Sequence, residues 1–211
     1  MKLTKTNYLH SGHALWLRGL LGGIVLPFLL ILLLPAAASA ADELGTVMID
    51  GTSFYVLRTS KDWDLFKQIV KEEKGTKDVN AIMDADISTE YSVGLESDAP
   101  YRGIFDGNGY TLNVNITGSG MYYIAPFSRV KDATIKNLRV TGSVKGGMHA
   151  AGLIGMFDGS PEVFIQRVWV SANVTTENNR VGGFVGHTND VIIQMEDCLF
   201  DGTLNANNAS D

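Results

Sequence analysis

Cysteine occurs once in 211 residues, at Cys198, so no intramolecular disulfide can form and stability has to come from packing and hydrogen bonds. Histidine is nearly as scarce, and two of the four, His10 and His13, fall in the first forty residues. Acidic residues are missing altogether before Asp42, and no second long apolar run follows the one that ends at Leu34. These shortages exclude a disulfide scaffold and argue against a histidine metal centre.

What the first forty residues do contain is an export signal. Lys2, Lys5 and Arg18 make a basic start, Gly19 to Leu34 is apolar, and Ala38 and Ala40 satisfy the A-x-A rule, which predicts cleavage between Ala40 and Ala41. The run is interrupted by Pro27 and is short for a bilayer span of about 20 residues, although an uncleaved anchor is the alternative. The remaining chain has 14 basic against 23 acidic residues, a net charge of −9. That balance argues against nucleic acid or an anionic membrane as partner and leaves the signal segment as the only membrane contact. The predicted organisation is a signal peptide over 1–40, a hairpin, capping helix and first strand over 41–100, and strand repeats over 101–211.

The chain after Ala40 is rich in Gly, Asn, Thr and Val, which favours strands and turns. TVMIDGTSFYVL, 46–57, alternates around Asp50-Gly51 and predicts a hairpin. TSKDWDLFKQIVKEEKG follows, with Ser60 as the expected cap, Gly75 as the stop, and Trp63, Phe66 and Val70 on one stripe. This is the single helix the sequence predicts, and its stripe is expected to cover the end of the β structure. DVNAIMDADIST, 78–89, reads as one strand with Asp84 and Asp86 on a shared face.

Beyond residue 100 the chain repeats. ATIKNLRVTGSV (133–144), VFIQRVWVSANV (163–174) and the stretch from Ile193 align with a shift of thirty residues. Ile135/Ile165/Met195, Leu138/Val168/Cys198, Val140/Val170/Phe200 and Val144/Val174/Leu204 match in character, and Gly142/Ala172/Gly202 share a small residue. AGLIG (151–155) and GGFVG (182–186), with a weaker APFS (125–128), form a second element, and FDGNGYTLNVNITG (105–118) reads as a looser copy 24 residues before Thr141-Gly142. Units this short cannot bury their own apolar face, so they must stack. The predicted fold is all-β: a right-handed parallel β-helix, a solenoid with repeats of roughly 24–30 residues, capped by the hairpin and helix. A β-sandwich is the alternative, but it does not account for the regular thirty-residue shift.

The order KDWDLFKQIV, VNAIMDADIST, GIFDGNGYTL, then TIKNLRVTG with AGLIG and GGFVG, resembles bacterial surface and secreted β-helix proteins with GLUG-type repeats. Such repeats occur in IgA-specific metallopeptidases and large adhesins. The resemblance covers roughly residues 55 to 205 and implies a parallel β-helix on an exported protein, serving as scaffold and carrying no defined catalytic set. The H-E-x-x-H helix of the metallopeptidases is absent from this chain.

Candidate chemistry is sparse. Asp106-Gly107-Asn108-Gly109 opens like an EF-hand loop, but Tyr110 and Thr117 occupy two ligand positions, so it reads as a turn. His149 and His187 have no ligand partner close in sequence and read as exposed loop residues, and Cys198 reads as a small buried hydrophobe. The acids, including Asp132 and Glu162, look scattered, with none recurring between copies, which argues against the carboxylate chemistry of β-helix polysaccharide lyases and hydrolases. No cofactor or metal is expected. Trp169 sits between two inward valines and so faces outward, beside Arg139 of the preceding copy. That pair is the candidate ligand platform, with Tyr122 and Tyr123 as a second. The expected function is an exported structural or adhesive module whose side wall meets a polysaccharide or a host surface protein. Two alternatives remain: a β-helix polysaccharide-active enzyme, or the N-terminal scaffold of a larger surface protein. The repeat runs to Leu204 without a visible cap, which predicts self-association at that end.

Overall fold

The computed structural model describes residues 43–158, 162–178, 180–189 and 192–207. The expected export signal, its expected cleavage point and the last residues of the chain lie outside these. At the start, Asp50 and Gly51 both take positive φ (48° and 80°), as a two-residue hairpin turn requires. The turn joins β1 (Thr46–Ile49) to β2 (Thr52–Leu57) in antiparallel register.

Helix α1 (Ser60–Glu73) is capped by Thr59, one residue before the expected Ser60. The Thr59 hydroxyl accepts from the Asp62 amide at 3.1 Å, while the Asp62 carboxylate accepts from the Thr59 amide at 3.0 Å. Ser60 instead donates outward, to the Ser88 carbonyl at 2.6 Å. The helix stops where Lys74 and Gly75 turn left-handed (φ 50° and 62°). Its stripe of Trp63, Phe66 and Val70 is buried, as the spacing predicts. Trp63 makes edge contacts with Phe66, Phe105 and Phe127 at centroid distances of 5.8–5.9 Å, and its indole N–H donates to the Tyr91 carbonyl at 3.0 Å. The helix therefore lids an aromatic core, and Trp63→Ala would open it at about 3–5 kcal/mol.

The expected strand over 78–89 is two strands, β3 (Ala81–Met83) and β4 (Ile87–Thr89), separated by a bend. Asp84 and Asp86 lie in that bend. Asp84 pairs with Arg58 at 2.8 Å, and Asp86 accepts the Thr111 amide at 2.7 Å, so both are tied to the scaffold. The strands that follow are β5 (Tyr101–Asp106), β6 (Thr111–Tyr122), β7 (Phe127–Met148), β8 (Ala150–Ala151), β9 (Ile154–Phe157) and β10 (Glu162–Val170). Next come β11 (Asn173–Thr176), β12 (Val181–Gly182), β13 (Val185–His187), β14 (Ile192–Glu196), β15 (Leu199–Phe200) and β16 (Thr203–Ala206). They wind into a parallel β-solenoid of about five turns. One ladder runs β2-β3-β5-β7-β10-β14, another β4-β6-β7-β11-β16, and a third joins β7, β9 and β13, every pair parallel.

The thirty-residue shift is the strand register itself. Ile165 lies opposite Ile135 and Met195, Val170 opposite Val140 and Phe200, and Val174 opposite Val144 and Leu204. Ile135, Leu138, Val140, Val144 and their β10 and β11 counterparts are fully buried, each contributing about 1.5–3 kcal/mol of burial. The first copy departs from the sequence alignment. Val114, not Gly118, faces Gly142, an offset of 28 residues rather than 24. The offset between β5 and β7 is still 30 at Phe105 and Ile135 and falls to 28 at Thr111 and Arg139, so the turn at 107–110 is two residues longer than its successor. Gly142 needs to be glycine: φ is 97°, and a Cβ would stand 2.0 Å from the Val114 carbonyl oxygen. The last described coil leaves Ile192, Met195, Leu199 and Leu204 exposed.

Candidate functional site

The wall around Trp169 is built on a corner. Asn137, Arg167 and Asp197 stand thirty residues apart, and each has φ 52°, the left-handed conformation that turns the strand between two inward ladders. Asn and Asp tolerate it; Arg does so at some cost. Side-chain bonds along the solenoid axis fix the corner. Arg167 Nε donates to Asn137 Oδ1 at 2.7 Å, and Asn137 Nδ2 donates to Asp106 Oδ1 at 2.9 Å. Asp106 also accepts the Asn108 amide at 2.9 Å and faces Lys136 Nζ at 3.3 Å. The Asp-Gly-Asn-Gly turn is thus the foot of an amide ladder, with its carboxylate committed to the scaffold.

Two residues past the corner, Trp169 lies opposite Arg139 in register, and the guanidinium carbon stands 4.2 Å from the indole centroid. The indole N–H donates to Asp201 Oδ1 at 2.8 Å. The side chain is therefore held from two sides while remaining 37% exposed. Arg139 covers one face of the ring, so an incoming group meets a guanidinium laid on an indole rather than a bare aromatic platform. Asn108, Gly109, Thr111, Asn137, Leu138, Arg139, Arg167 and Trp169 line a shallow groove of about 600 Å³ here. Asn137 and Arg167 were not among the expected site residues. Their thirty-residue spacing, just ahead of the apolar ladder, is the signal that would have found them.

The other expected pair lies in a separate cluster. Tyr123 faces His149 in a stack of 5.0 Å, with Tyr122 6.0 Å from the same imidazole. By the register of β6 on β7 and of β12 on β8, Tyr123, His149 and Arg180 stand at one corner of three successive coils. Beside them runs a second column, Arg129, Met156 and His187. Arg129 lies over the Tyr123 ring at 4.6 Å, His187 meets His149 edge-on at 4.6 Å, and Arg180 Nη1 stands 3.5 Å from a ring nitrogen of each histidine. His149 is therefore not the exposed loop residue that the sequence implied. It is 4% exposed, because segments far apart in sequence close over it. Burial, reinforced by His187 and Arg180, pushes its pKa down to about 4, so it is neutral at physiological pH.

Two other expectations change. Asp132 and Glu162 do recur between copies. Register places Arg102, Asp132 and Glu162 in one outward column, Asp78 precedes them by the same rule, and three of the four line a groove of about 560 Å³. Arg102 bridges Asp78 and Asp132 at 3.4 Å each. Cys198 is half-buried at the last coil, its thiol donating to the Glu196 carbonyl at 3.2 Å and to the Ile165 carbonyl at 3.4 Å. Among the described residues no group of three or more His, Cys, Asp or Glu side chains is arranged to hold a metal. Comparison with family models, curated proteins and solved structures returns no match for this chain.

Proposed function

We propose that the chain is an exported, non-catalytic β-helical module, akin to bacterial surface proteins with GLUG-type repeats, that displays the wall around Trp169 to a glycan. A host surface protein is the other partner such a wall would suit. The reading is carried by the clasp of Arg139, Trp169 and Asp201: an aromatic and a cationic group held rigid on an exposed sheet beside a groove. Pre-ordering of this kind lowers the entropic cost of binding, and the stacked coils of a parallel solenoid lay a continuous wall along a linear ligand. Export is supported by the basic start, apolar run and Ala-x-Ala of the first forty residues. Screening the secreted chain against immobilised glycans, with Trp169→Ala beside it, tests the reading. Retained glycans and a Trp169→Ala protein that melts normally but no longer binds are expected. Binding unaffected by Trp169→Ala would refute it.

The enzymatic alternative rests on the column of Asp78, Arg102, Asp132 and Glu162, which gathers acids around a base as uronate-active β-helices require. Release of reducing ends or unsaturated uronates, abolished by Glu162→Gln, would establish it. Inactivity across a polysaccharide panel would dismiss it.

A further inference from the structure

We infer that the groove beside Trp169 takes a carboxylated sugar, the uronic-acid unit of an acidic polysaccharide; this rests on the glycan-binding reading above. Two guanidinium groups, Arg139 and Arg167, line the groove, and no carboxylate does. Neither forms an ion pair with a described carboxylate, whereas Arg58 and Arg102 are both paired; Arg129 and Arg180, also without an ion pair, are packed against Tyr123 and the two histidines instead of opening on a groove. On a chain whose residues after Ala40 carry a charge of −9, arginines left unpaired are not short of internal acids.

Three acids near the groove are engaged elsewhere. Asp106 serves Asn137 and Lys136, Asp201 holds the indole, and Glu196 faces Gln166 at 3.4 Å. A fourth, Asp197, stands one coil on from Arg167, but none of the ion pairs among the described residues joins the two. Both forks are also oriented in advance. Stacking fixes the plane of Arg139, and the bond from Arg167 Nε to Asn137 leaves the terminal nitrogens of Arg167 as its free donors. A planar guanidinium presents parallel donors that match the two oxygens of a carboxylate. The Thr111 hydroxyl and the side-chain oxygen of Asn108 stand beside them for sugar hydroxyls.

The test is calorimetric titration of the full secreted chain with polygalacturonate, dextran and dextran sulfate, in wild type and in Arg139→Gln, Arg167→Gln and Lys145→Gln. Lys145 is exposed and does not line the groove, so it controls for net charge. Polygalacturonate is expected to bind in preference to dextran, weakened by added salt. Arg139→Gln and Arg167→Gln are each expected to weaken it about tenfold, the effect of losing one charge-assisted pair, with Lys145→Gln within twofold of wild type. Arg167 does not touch the indole, so its variant reads the charge even if Arg139→Gln disturbs Trp169. Dextran bound as tightly as polygalacturonate, with no effect of either arginine, would overturn the inference and leave the glycan reading standing. Tighter binding of dextran sulfate, lost equally in all three variants, would also overturn it, since charge alone would then suffice. No binding to any of the three, nor to a wider glycan panel, would remove both.

Discussion

His149 makes stability depend on pH in a window where few other groups titrate. Its folded pKa is about 4 against about 6.5 for an exposed histidine, so the unfolded chain takes up the proton first. The group therefore costs nothing above about pH 6.5, draws stability down as pH falls through that value, and levels off below about 4. Worked at pH 5, the difference in proton binding amounts to about 2 kcal/mol, and to about 3 kcal/mol over the whole window. Protonation would place a cation against Arg180 and His187, with Arg129 beyond the Tyr123 ring and Tyr122 alongside, and among the described residues no carboxylate acts on the imidazole. Urea unfolding between about pH 7.5 and 5, stopped before most carboxylates titrate, reads this directly. Wild type should lose about 2 kcal/mol more across that range than His149→Gln, whose neutral amide has no proton to gain. Parallel pH profiles for the two proteins would refute the argument, since only the burial and cationic surroundings of His149 distinguish them.

Three further outcomes follow from local geometry. The Tyr101 hydroxyl is fully buried with no hydrogen-bond partner, so Tyr101→Phe should raise the urea-derived stability by about 1 kcal/mol, and a loss would show an overlooked partner. Gly142→Ala combines a φ of 97° with a Cβ 2.0 Å from the Val114 carbonyl and should cost about 2–4 kcal/mol. Ala172→Gly, at the equivalent position one coil on, should cost only about 1 kcal/mol, and equal losses in thermal melts would contradict the register. Asp106→Ala removes the acceptor for Asn108, Asn137 and Lys136 and should cost about 1–3 kcal/mol, with faster amide exchange at Gly107 and Gly109; unchanged exchange would show that the glycines alone define the turn.

The inward half of the fold was legible because its physics is periodic. A ladder position must be apolar in every coil, so Ile135, Ile165 and Met195 announce one another, and the pairing follows without further information. Thr117-Gly118 matches Thr141-Gly142 in identity but not in register, because the first copy's turn is two residues longer and leaves no mark on the apolar pattern. Asp132 and Glu162 were overlooked although thirty residues apart, because each lies one residue ahead of the aligned stretches at 133 and 163. His149 was not legible at all. Its burial depends on Tyr123, Arg180 and His187 meeting across three coils, and nothing local to Met148-His149-Ala150 requires it.

Outward positions are where the repeat is weakest, because nothing in the core constrains them. On the wall each column stacks its members about 4.8 Å apart, so neighbours in a column must either satisfy or repel one another. In the amide column, Asp106, Asn137 and Arg167 hand hydrogen bonds along the axis. In the acidic column, Arg102 answers Asp78 and Asp132. The column of Arg139 and Trp169 resolves its contact differently, by a cation resting on a π face, and that contact leaves the positive charge unneutralised. A charge held rigid, exposed and uncompensated on an otherwise acidic chain calls for compensation from outside it. Arg129 rests on Tyr123 in the same way, but half-buried beside His149; the Arg139–Trp169 pair is exposed and borders a groove, and that combination supports this wall as the place where a ligand would bind.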